Sequence, residues 1–423
     1  MKILHLSNSD NLGGAANAAF QLHRGLISIG VESRMLVAKI NSNEEKIFQC
    51  PAHQKDNLHP LVMRWRNHKK LKAQERLFKE GRPTTYISVP HSEYDFQEVA
   101  WLLEWAEVIN LHWVAGLVDW KKHIHLLAQY APLVWTLHDQ NPISGIWHFQ
   151  PTEAENTNAL QKLNAQIISK KTKVIAKLPE NTLTAVTPSK WLTNEVIRSR
   201  IMHKVKAHTI PYGIDITTFR PRVKTSTRHE LAITNDRFIL GFIAHDINDP
   251  RKGLDILAAA LQNLPKNYKD RILLMSLGCG EPLEFNSIDS RHLGLSDNPA
   301  FVSKFYAALD VFICPSRQDN LPNTVLEALA CGRPIIGSDV GGIPDMIQPG
   351  VTGWLTKPED SKDLQANIIK VFKLWEDGKL NSLSEEIRST AEKRYSLYKQ
   401  ASSYLELYEG LTSKKLIQHD QNT

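Results

Sequence analysis

A chain of 423 residues is too long for one ordinary core, and two domains of about 200 residues each are expected. Its composition, 42% hydrophobic and 23% charged, is that of a soluble globular protein, and no run of about 18 uncharged apolar residues predicts a transmembrane helix. The net charge of +6 is placed unevenly: in 61–82 the eight basic residues from Arg64 to Arg82 outweigh Glu75 and Glu80 by the excess of the whole chain.

The start, MKILHLSNSDNLGG, turns polar before the apolar stretch of a signal peptide could form, and reads as a buried strand entering a loop. Gly13 and Gly14 follow, then a helical pattern from Ala15. Bare backbone and the positive end of a helix together can receive an anion, although a tight strand-to-helix turn uses the same residues. The spacing is not that of a dinucleotide fingerprint, which disfavours hydride-transfer chemistry. Segment 61–82 interleaves its basic residues with Leu61, Val62, Trp65, Leu71 and Phe78. It suits either a solvated helix face or an anionic membrane surface, and no nucleic-acid motif accompanies it.

Short aliphatic runs alternate with helical stretches throughout, which predicts parallel α/β layers. The strand candidates of the first half are Lys2–Ser7, Glu32–Val37, Val108–Trp113, Leu133–Leu137 and Thr182–Val186. Those of the second half are Phe238–Ile243, Ile272–Ser276, Val311–Cys314 and Pro334–Gly337, with GVTGWL (350–355) as a further turn and strand. The seam falls near IPYGIDITTFRP, 210–221, where prolines and a glycine interrupt the periodicity. Domains are expected over 1–209 and 210–390, then a helix rich in tyrosines over 391–412 and a polar tail at 413–423. Cys50, Cys279, Cys314 and Cys331 have no paired spacing, so a reduced, cytoplasmic chain without a metal site is expected.

Ligands of open α/β sheets bind at the carboxyl ends of the strands. VWTLHD ends there in His138 and Asp139, so His138 either touches a polar substrate or is satisfied by its own loop. After FILGFIA comes DPRKG, where Arg251 and Lys252 can neutralise a diphosphate or form a surface basic pair. In DNLPNTVLEALACG, Asp319 lies in a loop and Glu327 in the helix that follows. Glu327 can accept the hydroxyls of a ribose, or merely close a capping box with Thr324, with Asn323 as N-cap in the alternative register. Cys331-Gly332 should end that helix, and VGGIP (340–344) makes a further bare-backbone turn.

Taken in order, GGAANAAFQLHRGL, VWTLHD, PSKWL, IPYGIDITTFRP, DPRKG, FICPSRQDNLPNTVLEALACGRPIIGSDVGGIP and GVTGWL resemble glycosyltransferase family 4, retaining enzymes of the GT-B fold, over nearly the whole chain. The resemblance implies two Rossmann-like domains facing across a cleft, with the acceptor on the N-terminal domain and a nucleotide sugar mainly on the C-terminal one. The final aromatic helix would cross back onto the N-terminal domain. Glu327 would bind the ribose hydroxyls, Lys252 the diphosphate, and Asp319 and His138 would lie at the sugar. The amides of Asn323 and Thr324 would support the distal phosphate or sugar, and Gly13 and Gly14 would let the donor approach. No metal or cofactor is implied beyond the nucleotide-diphosphate sugar itself. The acceptor would be a saccharide or lipid-linked saccharide of surface polysaccharide synthesis, met at the inner membrane face.

Two departures stand out: Asp319 replaces the usual Glu, and the loop AHDIND (244–249) lacks an Arg that many members carry. Alternatives on the same fold are a nucleotide-sugar epimerase or hydrolase and a non-catalytic carbohydrate-binding relative.

Overall fold

The structure is a computed structural model that describes residues 1–52, 86–281 and 288–420, the side chains of 414–420 excepted. Segment 61–82 lies outside the described residues. The chain divides into two compact units: Met1–Pro188 with Leu192–Ile210 and Ser402–Thr423, and Ser189–Trp191 with Pro211–Ala401.

The first unit holds a seven-stranded sheet, all of whose described pairings are parallel. Its strands are β1 (Lys2–Ser9), β2 (Glu32–Lys39), β3 (Ile47–Gln49), β4 (Val108–Leu111), β5 (Leu133–Thr136), β6 (Leu183–Thr187) and β7 (Lys206–Thr209), in the order β3-β2-β1-β4-β5-β6-β7. The helices are α1 (Gly14–Ser28), α2 (Ala100–Trp105), α3 (Trp120–Tyr130), α4 (Asn158–Ile175) and α5 (Lys190–Arg198). All of β4, β5 and β6 is buried, as a parallel sheet covered on both faces requires.

The second unit repeats the plan with six strands: β8 (Phe238–Asp246), β9 (Ile272–Cys279), β10 (Asp289–His292), β11 (Val311–Cys314), β12 (Ile335–Ser338) and β13 (Gly353–Thr356), in the order β10-β9-β8-β11-β12-β13. Its helices are α6 (Lys224–Glu230), α7 (Leu254–Gln262), α8 (Lys266–Lys269), α9 (Pro299–Ala308), α10 (Asn323–Ala330), α11 (Ser361–Glu376) and α12 (Ser384–Tyr395). Asp310, fully buried, anchors this unit. It accepts from Arg228 at 2.6 Å, from Lys224 at 2.8 Å and from the Ile239 amide at 2.8 Å.

The last helix, α13 (Leu397–Asp420), follows α12 after a break at Ser396. From Ser402 onward it belongs to the first unit, where Tyr404 Oη lies 3.0 Å from Thr136 Oγ1 and Asn110 donates to Tyr408 Oη at 2.7 Å. The polar tail read from residue 413 is helical as far as Asp420, since SKKLIQHD contains neither proline nor glycine to stop it.

Both sheets reverse strand order once, between β1 and β4 and between β8 and β11. At such a switch point neighbouring loops diverge from the carboxyl edge and leave a crevice. The polar motifs of the sequence lie at these two places.

Candidate functional site

In the second unit the chain leaves β8 through a single 3₁₀ turn, Pro250–Lys252. Asp249 caps it by accepting from the Arg251 amide at 3.0 Å. Gly253 ends the turn at φ +70, and a Cβ there would strike the Pro315 carbonyl, so glycine is needed for both angle and space. Arg317, from the loop after β11, donates its amide to the Arg251 carbonyl at 2.7 Å and its guanidinium to Pro250 O at 2.7 Å. The two carboxyl-edge loops are thereby fixed against each other.

Their union brings Lys252 Nζ to 2.5 Å from Asp319 Oδ2. Burial works against the ammonium, but the charge and hydrogen bond of Asp319 outweigh it and raise the Lys252 pKa. Lys252 therefore carries a full positive charge at neutral pH. Arg251 is committed differently: its guanidinium pairs with Asp249 of its own turn at 2.5 Å. The Gly-Gly turn after β12 closes the same loop from the other side. A Cβ on Gly341, at φ +55, would meet the Asp319 carbonyl, and one on Gly342 would meet that of Asn320. These two glycines serve a close approach of backbone to backbone.

The helix α10 begins at Asn323, with Pro322 in the N-cap position and no side-chain cap. Neither capping register expected from the sequence forms. Asn323 and Thr324 are already inside the helix, because proline at 322 sets the turn one residue earlier than an Asn cap would. Cys331 and Gly332, at φ +69, end the helix as the sequence indicated. Glu327 is thus released from capping, and its carboxylate accepts from Tyr306 Oη at 2.9 Å. Burial raises its pKa to about 7, with the Tyr306 hydrogen bond pulling the other way. Tyr306, fully buried in α9, is a partner that no spacing in the sequence revealed.

In the first unit three imidazoles lie in series. His5 Nδ1 is 2.9 Å from His112 Nε2, and His112 Nδ1 is 3.0 Å from His138 Nε2. Burial lowers all three, His138 to about 4 against the opposing charge of Asp139, so the chain is neutral at pH 7. Two neutral proton orders are possible. One leaves an N–H on His5 Nε2, which is buried without a partner among the described residues. The other leaves only a lone pair there and puts the His138 proton on Nδ1. A buried orphan N–H is the costlier defect, so we assign the second order.

His138 lies in a small pocket lined by Ser88, Trp113, His138, Asp139, Asn141 and His148, among others. Asp139 is occupied in building its wall, accepting from Trp113 Nε1 at 2.9 Å and lying 2.6 Å from His148 Nδ1. Lys171, fully buried in α4, donates to the Asn141 and Ser144 carbonyls at 2.6 and 3.1 Å and holds the loop beneath; burial lowers its pKa to about 7. His5, His112 and Lys171 were not singled out in the sequence. The signal for the first two was visible, a histidine inside an apolar strand and another at a strand's end.

Gly13 sits at φ +89, ψ +164, a conformation open essentially to glycine alone, at the N-cap of α1. Asp10 ties down the loop before it, accepting from the Asn41 and Ser42 amides at 3.0 and 2.7 Å. The structure therefore brings Lys252 to Asp319 in one unit and leaves Gly13, Gly14 and His138 in the other. Cys314 and Cys331 are buried thiols pushed up to about 11 and 12, as their apolar settings implied.

Residues 237–373, which carry Lys252, Asp319 and Glu327, match the family described as glycosyl transferases group 1. A D-inositol 3-phosphate glycosyltransferase from Segniliparus rotundus is 26% identical over 274 residues, covering 62% of this chain and 57% of that protein. The chain thus spans a little over half the length of that relative. The structure of a sucrose-phosphate synthase from Thermosynechococcus elongatus superposes with a TM-score of 0.68 at 17% identity, over 98% of this chain and 100% of the other. HepE from Anabaena, solved in complex with UDP-glucose, gives 0.63 at 16%, over 97% and 100%. Residues 237–373 of the second unit thus match the group 1 glycosyltransferases, and the chain, with its two Rossmann-like sheets, has the GT-B fold.

Proposed function

We propose that the protein transfers a sugar, with retention of configuration, from a nucleotide-diphosphate sugar to a hydroxyl of a saccharide or lipid-linked saccharide. The observation that carries this reading is the pairing of Lys252 with Asp319 beside a helix whose N-terminus has no side-chain cap. A fixed ammonium, oriented backbone amides and a carboxylate that can take two hydroxyls are what a nucleoside diphosphate requires.

In this reading Glu327 accepts the ribose hydroxyls and Lys252 faces the diphosphate. The amides of Asn323 and Thr324 hold the distal phosphate or sugar. The shorter Asp319 orients Lys252 and reaches the sugar only after that pair loosens. Arg251, already matched by Asp249, adds less charge than its position suggests. In the first unit the Nδ1–H of His138 donates to a sugar hydroxyl, and Gly13 and Gly14 offer amides to the donor.

No nucleophile is assigned. The acceptor oxygen attacks the anomeric carbon from the face the diphosphate leaves, and the acceptor proton passes to the departing phosphate oxygen. The enzyme contributes position and stabilisation of the charge that develops on that phosphate. Surface polysaccharide synthesis at the inner membrane face, approached through 61–82, completes the reading.

A thermal-shift panel of uridine-, guanosine-, adenosine- and thymidine-diphosphate sugars tests it, run on wild type and Glu327→Ala and starting from UDP-glucose, the ligand of the HepE structure. Stabilisation by one nucleotide class that is lost in the variant is the expected result. A flat panel on folded protein, with no transfer to any acceptor offered, would sink the proposal. The anomeric configuration of the product, read by NMR, decides retention.

A further inference from the structure

A second cavity in the first unit, of about 740 Å³, adjoins the His138 pocket and plays no part in the reading above. The two share Val89, Pro90 and Trp120 in their walls and so lie side by side. The new groove follows α3 and α4. Ile167 and Val174 add to its apolar floor, and the exposed Lys121, Lys122, Lys170, Lys173 and Lys177 form its rim.

The charge of that rim is not compensated by an ion pair among the described residues. Neither α3 nor α4 contains a single Asp or Glu. Asp119, the carboxylate lining the groove, caps α3 by accepting from the amides of Lys121 and Lys122 at 2.9 and 3.1 Å. None of the five rim lysines enters an ion pair among the described residues. Five like charges around one apolar trough repel one another, and an anion seated there relieves that repulsion. Sugar alone would leave the lysines unmatched, and hydrocarbon alone would leave them without a counter-charge. A phosphate head on an apolar tail satisfies both.

We propose that this groove binds a phosphate-bearing amphiphile, the anionic and apolar part of the acceptor, whose sugar end then reaches His138. The proposal rests on the transfer reading and adds to it the chemical class of the acceptor. Lysine suits the task, because it meets a phosphate as a mobile point charge and its stem extends the apolar wall.

The test is tryptophan fluorescence, with Trp120 inside the groove, during titration of the full-length protein with monomeric dodecyl phosphate. Saturable binding is expected, weakened about tenfold or more in Lys170→Glu/Lys173→Glu, because a charge-assisted contact contributes more than the energy of a tenfold change. The variant's circular dichroism, melting temperature and nucleotide-sugar shift should match wild type, since both lysines are exposed. Equal binding by the variant, or by dodecyl maltoside, would overturn the role of charge and with it the proposal. Inorganic phosphate binding as tightly would overturn the amphiphile in favour of a simple anion. Binding to phosphatidylglycerol vesicles but not to monomeric dodecyl phosphate would replace the groove with a membrane-docking face. Donor response lost while dodecyl phosphate still binds removes the transfer reading alone; the reverse removes only the groove.

Discussion

Imidazoles at the carboxyl ends of β4 and β5 and a third inside β1 stand in series without a formal charge, while at the ends of β8 and β11 an ammonium touches a carboxylate. The backbone plan is nearly the same: a parallel sheet, one reversal of strand order and polar loops at the carboxyl edge. The difference lies in what burial does to each set of side chains. In the first unit burial outweighs the opposing charge of Asp139, and the histidines discharge. In the second, Asp319 overcomes burial and keeps Lys252 charged, whereas Glu327, hydrogen-bonded by a tyrosine hydroxyl, is drawn up to about 7 by burial. A neutral site favours hydrogen bonds to hydroxyls, and a charged one favours phosphate. One fold thus supplies two chemistries through the partners it gives its ionisable groups.

The largest effect should come from removing the charge that does not discharge. Lys252→Ala is expected to lower turnover by about 10²–10³-fold, the loss typical of one preorganised electrostatic contact, with little change in melting temperature. Initial rates on saturating donor measure it, and unchanged turnover would take Lys252 out of the mechanism.

Glu327 sharpens the contrast through pH. Ribose hydroxyls donate to the carboxylate, so donor binding should tighten as pH rises through about 7 and weaken below it. Titration with an intact nucleotide sugar reads this without a terminal phosphate ionising in the same range. Glu327→Gln should flatten the profile; a profile that stays steep would assign the pH dependence elsewhere.

Stability should respond to acid in opposite senses in the two units. The folded-state values of His5, His23, His112 and His138 lie below the ordinary histidine value. Their contribution is present above that value and lost as pH falls, towards about 4 for His23 and His138. Glu327 is raised instead, so its contribution is full below the ordinary carboxyl value and lost as pH rises towards about 7. Hydrogen exchange at pH 5 against pH 7.5 should show β1, β4 and β5 losing protection relative to β8 and β11. Equal loss in both sheets would contradict the comparison.

The smallest effects separate two uses of glycine. Gly13→Ala meets no atom within 4 Å and should cost about 1–3 kcal/mol from backbone angle alone. Gly341→Ala also needs a positive φ and adds a collision with the Asp319 carbonyl, so it should cost more and displace Asp319. Urea unfolding of the two variants gives the order.

Much of this was legible in sequence, for reasons that particular residues show. Every strand candidate of both halves appears, because buried parallel strands are continuous aliphatic runs. The three strands that escaped, IFQ, KAHT and DSRH, lie at sheet edges: KAHT and DSRH are largely polar and exposed, and IFQ is too short to show a pattern. The positions of Lys252, Asp319, Glu327 and His138 after strand ends could be read from local order. Their partners could not: Tyr306, His5 and Lys171 lie 21, 107 and 27 residues or more from the groups they touch, and no local spacing encodes such a pairing.

The chain's own order of residues determined the two-sheet α/β plan, the glycine and proline turns and the families of side chain that stand at the carboxyl edges. Those follow from local propensity and from the periodicity of burial, which act over a few residues. Only the tertiary structure decided the charge of each site. Whether Glu327 caps a helix or waits near neutrality, whether Arg251 is available or already matched, and whether three histidines share protons depends on desolvation and on neighbours from distant strands, and both exist only once the sheets are packed.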